Sequence, residues 1–489
     1  MDWKDENHMR GKRWIGPGLG AVLLFVFLLL PPLEPLTAVG MKVIGIFLAT
    51  VIWWATVGIG YPSILCIALL AITGTMTPEA VFAVSWGNYL VLFILAVFGL
   101  AQCLRLTGFS RRFALWLLTR PFTAGHPWLM TAMFLLGPLL LGSVMSGTAT
   151  CITFMAIAEP MLGILGYKRG DRFAATLMMG ISWTATAAFI TTPIGHASNI
   201  MLIDWLQRDF DYTLSFPIWM AVGIPAGLLL YLLILGYLRF VVRPDMSQFG
   251  STAAVDYIRQ ERDKAGAMKL EEKLTVGIFL GVVVCWMLPG LAGNILPGVS
   301  TYLGKLGYAI PPLIGASLLC IIRVRNQPLM TFHQWMTGVP WETIALIAAI
   351  MVIRELIGSP ETGIPQLLTS LLQPLATGVP FFVYLLIGQL WVSIQTNIMS
   401  NMVAACLVYG AMVPAAIAVG VGSPALGFTI FAGARSGFAL PSATTNTALV
   451  TGSGWVPVGF MARHGFAVTI GVVLLCIFVV YPLASVILR

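Results

Sequence analysis

"LLLGSVMSGTATCI", residues 139–152, reads as a membrane-spanning run that has been interrupted. Leucines open it, yet Gly142, Ser143, Ser146, Gly147, Thr148 and Thr150 crowd its middle. Glycine costs a helix interior roughly 1 kcal/mol relative to alanine, and a hydroxyl facing lipid lacks a partner. The surrounding chain is apolar throughout. It has 489 residues, 58% hydrophobic and 9% charged, with a mean hydropathy of +0.91. A soluble domain carries about 25% charge. The sequence is therefore that of an all-α polytopic membrane protein.

Apolar runs predict helices at about 14–31, 39–57, 61–74, 88–106, 172–190, 216–240, 274–290, 308–322, 341–357, 424–440 and 464–487. Two longer runs, about 124–165 and 379–420, suit helical hairpins. "PPLEPL" follows the first run where a cleavage site would need small residues, so that helix is read as retained. The seven cysteines are scattered in apolar runs with no metal-binding spacing and read as buried hydrophobes.

The formal charge of +8 follows topology. With a cytoplasmic N-terminus and re-entrant hairpins, only Lys42, Arg208, Lys305, Arg354, Arg435 and Arg489 of the 27 Lys and Arg lie off the cytoplasmic side. That bias favours a cytoplasmic N-terminus and calls for no nucleic-acid partner; the expected location is a bacterial inner (plasma) membrane.

The one long polar interval, 243–273, divides the chain almost in half. Landmarks recur on either side of it. Trp86 opens a helix and Ser146 follows; Trp341 opens another and Ser400 follows at nearly the same interval. Beyond each Ser comes a second polar break, "TTPIGHASN" at 191–199 and "LPSATTNT" at 440–447. The expected organisation is an N-terminal segment and first helix (1–38), a first repeat (39–243), a cytoplasmic linker (244–273) and a second repeat (274–489). An odd number of spans per repeat would invert one against the other, as in secondary transporters.

Non-helical backbone survives at membrane depth only where protein or a watery cavity surrounds it. Small-residue clusters also serve close helix packing, the role expected of Gly223 with Gly227 and of Gly277 with Gly281. Four breaks at matched positions, two of them containing Pro193 and Pro441, favour a binding site. Half-helix N-termini suit an anionic carboxylate, and freed carbonyls with Ser, Thr or Asn oxygens suit a small hard cation.

"MSGTAT" and "MSNMVA", followed by "TPIGHASN" and "LPSATTNTALVTGSG", resemble the divalent-anion:sodium symporter (DASS) family across essentially the whole chain. The resemblance implies eleven spans plus two hairpins, a homodimer, elevator-type motion, and di- or tricarboxylate or sulfate substrates. Carried over, Ser146, Gly147 and Thr148 stand at the first Ser-Asn-Thr tip, and Ser400, Asn401 and Met402 at the second. Gly195, His196, Ala197, Ser198 and Asn199 cover the first break, and Thr444, Thr445, Asn446 and Thr447 the second. For cations, the second site maps to Thr396, Ser400, Asn401 and Ala443, and the first to Gly142, Ser143, Ser146 and Gly195. Gly147 replaces the family's Asn, and Gly142 a hydroxyl. The expectation is a retained second cation site and an incomplete first one.

Arg435 is a cation at membrane depth, expected to meet anionic substrate, to stand in for a missing cation, or to form an ion pair, with Glu159 one available partner. His196 is a candidate donor or proton carrier, or a packed histidine. The expected function is secondary transport of small organic anions, by Na+ or H+ symport or by exchange, with no cofactor. A sulfate or sulfonate transporter and the membrane subunit of a binding-protein-dependent transporter stand as alternatives. No Walker, G-x-S-x-G or H-E-x-x-H motif supports an ATPase or an intramembrane enzyme.

Overall fold

A computed structural model describes residues 3–120, 126–246, 249, 252–293 and 295–489. It is helical almost throughout; the strands among the described residues are the short antiparallel pair Arg323–Val324 and Gln327–Pro328. Nine helices are long and apolar enough to cross a membrane among the described residues, or ten if the bent pair Pro297–Lys305 and Ile310–Ile321 is one span. The N-terminal apolar stretch Gly16–Leu29 and the helices Gly60–Ile72 and Pro127–Gly142 are apolar but shorter. The expected hairpins are the helix pairs Pro127–Gly142 with Gly147–Ile164 and Phe381–Ile398 with Asn401–Ala418. Residues 124 and 125 of the first expected range lie outside the described residues.

The described residues form two compact units. One comprises Met1–Leu95, Val339–Phe381 and Gly410–Gly422. Within it the Ala38–Thr56 helix lies so close to the first helix that a Cβ on Gly16 would strike Thr56 and one on Gly20 would strike Trp53. Thr37 caps that helix by accepting from the Gly40 amide at 3.1 Å, and its own amide donates to the Thr362 carbonyl.

The other unit comprises Ala96–Gly338, Phe382–Tyr409 and Ser423–Arg489. Its core is a pair of helices with no lipid-facing side. Every residue from Phe173 to Pro193 is buried, and so is every residue from Ala425 to Ala439. Hydroxyls are admitted there because they bond back to their own helix: Thr176 donates to the Arg172 carbonyl at 2.6 Å, Thr184 to Gly180 at 2.8 Å and Thr429 to Ala425 at 2.7 Å. Small residues bring neighbours within backbone reach. A Cβ on Gly142 would press on Ala188, and one on Gly223 or Gly227 would overlap the backbone or side chains of residues 190 and 191. The Gly277 and Gly281 expectation is corrected: a Cβ at either position meets nothing within 4 Å among the described residues. Their spacing matches a packing motif, but that helix face is unpartnered there.

The interval 244–273 is not a plain linker. It contains the helix Thr252–Ala265, and Phe249 is buried against Phe134 and Phe173. Residues 247, 248, 250 and 251 lie outside the described residues. Arg112 bridges to buried Glu272 at 2.5 Å and donates to the carbonyls of Ala265 and Gly266. A hydrogen bond from Lys264, with Arg111 alongside, holds the Glu261 carboxyl below the usual carboxylate range.

Both core helices end in a 3-10 turn, Ala188–Ile190 and Ala434–Ser436. A shorter helix follows each, Ala197–Phe210 and Thr445–Gly452. The second break thus starts before the expected 440–447, and the first ends before 199, because Ala197, Ser198 and Asn199 are already helical. The helix Val458–Leu475 packs on the second break so tightly that a Cβ on Gly465 would overlap Phe438 and Ala439. Gly465→Ala should therefore destabilise the unit by about 1–3 kcal/mol, as overpacked sites do. Thermal unfolding of the purified variant in detergent checks this; an unchanged midpoint would contradict the packing described.

Candidate substrate and cation site

The second hairpin tip is held to its break by two asparagine-based contacts. Asn397 is fully buried and uses both ends of its carboxamide. Its Nδ2 donates to the Ser393 carbonyl at 2.8 Å and to the Ser436 carbonyl at 3.0 Å. Its Oδ1 accepts from the amides of Phe438 at 3.1 Å and Ala439 at 2.8 Å. The Ser436 carbonyl and the two amides belong to the break, where the helix no longer supplies partners. Beside it, the Thr396 hydroxyl lies 2.9 Å from both Asn401 Oδ1 and the Ala434 carbonyl. A Cβ on Gly437 would meet Asn401 Oδ1 at 2.7 Å and the Thr396 carbonyl at 3.3 Å. Hydroxyl, amide and carbonyl oxygens therefore converge where Gly437 leaves room. Asn401 is 4% exposed, and its Nδ2 has no partner among the described residues. Ala443 is buried in the second break, and Ser400 is half-buried at the turn.

The first tip is closed differently. Ser143 donates to the Leu139 carbonyl at 2.6 Å, and its hydroxyl oxygen lies 2.6 Å from Thr191 Oγ1. Thr192 donates to the Ser143 carbonyl. Gly147 starts the returning helix. A Cβ there would overlap the Phe189 ring and lie 3.2 Å from Asn446 Nδ2. No Asn side chain fits at 147 with this backbone. Ser146 and Thr148 remain half-exposed at the helix N-terminus, and Ser146 makes no capping bond with its side chain.

Across the first break, Asn199 Nδ2 donates to the carbonyls of Phe189 at 2.6 Å and Thr192 at 2.9 Å. Those carbonyls, with that of Ala188, line the space beside Gly195. Asn199 Oδ1 accepts from Arg435 Nη2 at 2.7 Å. Arg435 is 0% exposed. Its Nη2 also donates to Ser198 Oγ at 2.8 Å, and Nη1 lies 3.3 Å from His196 Nδ1. No carboxylate comes within ion-pair reach of it among the described residues, Glu159 included, and its Nε has no partner there.

His196 Nδ1 faces Arg435 Nη1, the Ser198 amide at 3.3 Å and Ser198 Oγ at 2.8 Å. A ring nitrogen among such donors accepts, so the neutral ring carries its proton on Nε2. The ring also packs on Phe189, centroid to centroid 4.7 Å.

The second break reaches the first core helix as well. Thr186 donates to the Ser182 carbonyl at 2.9 Å, so its oxygen accepts from Asn446 Nδ2 at 3.1 Å. This orients the Asn446 amide and leaves its buried Oδ1 unpartnered among the described residues. Thr444 and Thr447 cap the Thr445–Gly452 helix reciprocally, which commits Thr447 to a capping box. Thr445 is exposed and Thr444 half-buried at that N-terminus.

Sequence reasoning thus singled out residues that meet: Gly147 with Asn446, Thr396 with Asn401, and Arg435 with His196, Ser198 and Asn199. Ser198 engages Arg435 and His196, and Asn199 engages Arg435 and the break's backbone. Sequence reasoning missed Asn397, Thr186, Phe189 and Gly437. Asn397 sat inside "TNIMSNM" and was legible as one of two amides near a tip. Among the described residues no group of three or more His, Cys, Asp or Glu gathers as a metal site. Asn397→Ala should leave the buried Ala439 amide unsatisfied, while the Phe438 amide and the Ser393 and Ser436 carbonyls keep other partners, at a cost of about 1–3 kcal/mol. A melting midpoint within a degree of the wild type would contradict that role.

A family model described as the sodium:sulfate symporter transmembrane region matches residues 12–486. The chain is 26% identical over 481 residues to the sodium-dependent dicarboxylate transporter SdcS of Staphylococcus saprophyticus, covering 96% of this chain and 90% of the relative. It is 26% identical over 488 residues to the protein of the same name from Staphylococcus aureus, covering 97% and 92%.

Proposed function

Since this chain belongs to the sodium:sulfate symporter family, we propose that it is a secondary transporter that carries a small dicarboxylate across the membrane together with sodium. The observation that carries the substrate charge is Arg435. A guanidinium buried without a carboxylate is costly by several kcal/mol, and an anion bound nearby offsets that cost. The N-termini of the Gly147–Ile164 and Thr445–Gly452 helices each add positive partial charge. In this reading the half-exposed Ser146, Thr148 and Ser400, with Thr444 and Thr445, contact one carboxylate or the other. The Nε2–H of His196 donates to substrate. The dicarboxylate assignment takes its support from the printed names of the two staphylococcal relatives.

Sodium belongs at the second tip. Thr396 Oγ1, Asn401 Oδ1 and the Ala434 carbonyl are oxygens of the kind a hard cation takes, and they already converge. A proton fits that cluster less well, because none of its groups titrates near neutrality. The reading extends to a homodimer in the plasma membrane, with its N-terminus cytoplasmic and an inverted pair of repeats. Transport would follow an elevator-type movement of the unit that carries the tips.

Purified protein in liposomes should take up labelled succinate when sodium is higher outside, without internal anion. Removing one cation ligand by Thr396→Ala should raise half-saturating sodium by roughly tenfold. Uptake that requires internal succinate and ignores sodium would replace symport with exchange. Sulfate uptake in place of succinate would overturn the dicarboxylate assignment.

A further inference from the structure

We propose that Phe189 determines which carboxylates the site accepts. Its ring takes the space that a side chain on the first tip would fill, and it walls the site so that a dicarboxylate enters and a tricarboxylate does not. The inference rests on the dicarboxylate reading above and deepens it to the residue that sets the selection.

Phe189 lies in the 3-10 turn Ala188–Ile190, and the backbone of that turn is pinned at successive residues. Asn199 Nδ2 donates to the Phe189 carbonyl at 2.6 Å, and Trp219 Nε1 donates to the Ile190 carbonyl at 2.9 Å. Behind the turn, Gly223 comes so close that a Cβ on it would overlap the Ile190 carbonyl. The turn has no room to withdraw in that direction, so the ring projects from a fixed backbone.

The ring meets both the first tip and the histidine. A Cβ on Gly147 would overlap its edge at Cε1 and Cζ. The His196 ring packs on it with 4.7 Å between centroids and 38° between planes. Phe189 is 8% exposed, whereas Ala188 and Ile190 on either side are 0% exposed, so it alone of the turn reaches accessible space. Its neighbours there are groups read above as substrate contacts: His196 itself, and the half-exposed Ser146 and Thr148 that flank Gly147. An aromatic ring carries negative partial charge on its faces and offers no hydrogen-bond donor. It suits the methylene groups between two carboxylates and repels a third carboxylate set against its face. Apolar contact and charge repulsion thus select in the same direction.

Uptake of labelled succinate and labelled citrate into proteoliposomes tests this, with sodium higher outside and at a pH where every citrate carboxyl is ionised. The wild type is expected to take up succinate and to discriminate against citrate. Phe189→Ala should raise the ratio of citrate to succinate kcat/KM by at least about tenfold, and Phe189→Leu should shift it the same way by less. A ratio taken within one preparation does not depend on how much of a variant folds. Gly147→Ala should lower succinate uptake at least about tenfold. Adding Phe189→Ala to it should bring uptake back to the level of Phe189→Ala alone, since the two side chains compete for one space. An unchanged ratio in both Phe189 variants would overturn the inference and leave the transporter reading intact. So would wild-type citrate uptake equal to that of succinate, or a Gly147→Ala chain with wild-type uptake. Absence of succinate uptake by the wild type would overturn both.

Discussion

The carboxamide of Asn199 holds two backbone carbonyls with its nitrogen and Arg435 with its oxygen. Much of the site's order follows from that one fully buried group. A helix that stops inside a membrane protein leaves amides and carbonyls without partners, and each must be satisfied by protein. Asn199 does this for the first break. Asn397 does it for the second, taking two amides and one carbonyl of the break. A carboxamide suits both places because it offers two donors and an acceptor together without charge. Their burial is made possible by core helices that turn no face to lipid.

The helices Gly147–Ile164 and Thr445–Gly452 start with exposed or half-exposed hydroxyls, and one cluster of neutral oxygens converges at Gly437. The electrostatic asymmetry between the tips follows from a single residue. Arg435 is built into the second break but bonded to the first, so the two breaks are not electrostatically equivalent even where their elements follow the same order.

The helical architecture was legible because it rests on composition and hydropathy, which act along the chain. The predicted hairpins fall on helix pairs, and the runs at 341–357 and 216–240 match helices Trp341–Gly358 and Phe216–Tyr237 closely. The helix Thr252–Ala265 was missed because its polar sequence reads as a solvated linker, and its anchor is the remote Arg112 and the burial of Phe249. Gly277 and Gly281 were misread because spacing records which face a glycine occupies but not whether a neighbour arrives there. The site was legible at the level of its breaks. Arg435 and His196 stood out as polar residues in an apolar run, but their mutual contact depends on a fold that joins positions 239 residues apart. Asn397 and Thr186 gave weaker signals, since their importance comes from partners on other segments.

The most direct test of a shared anion and sodium site is binding, measured without transport. The melting midpoint of the purified protein is followed against succinate, once in sodium and once in choline. The account predicts that succinate stabilises the protein in sodium, with little or no effect in choline, because bound anion and bound cation support each other through the two tips. Equal stabilisation in both salts would contradict it.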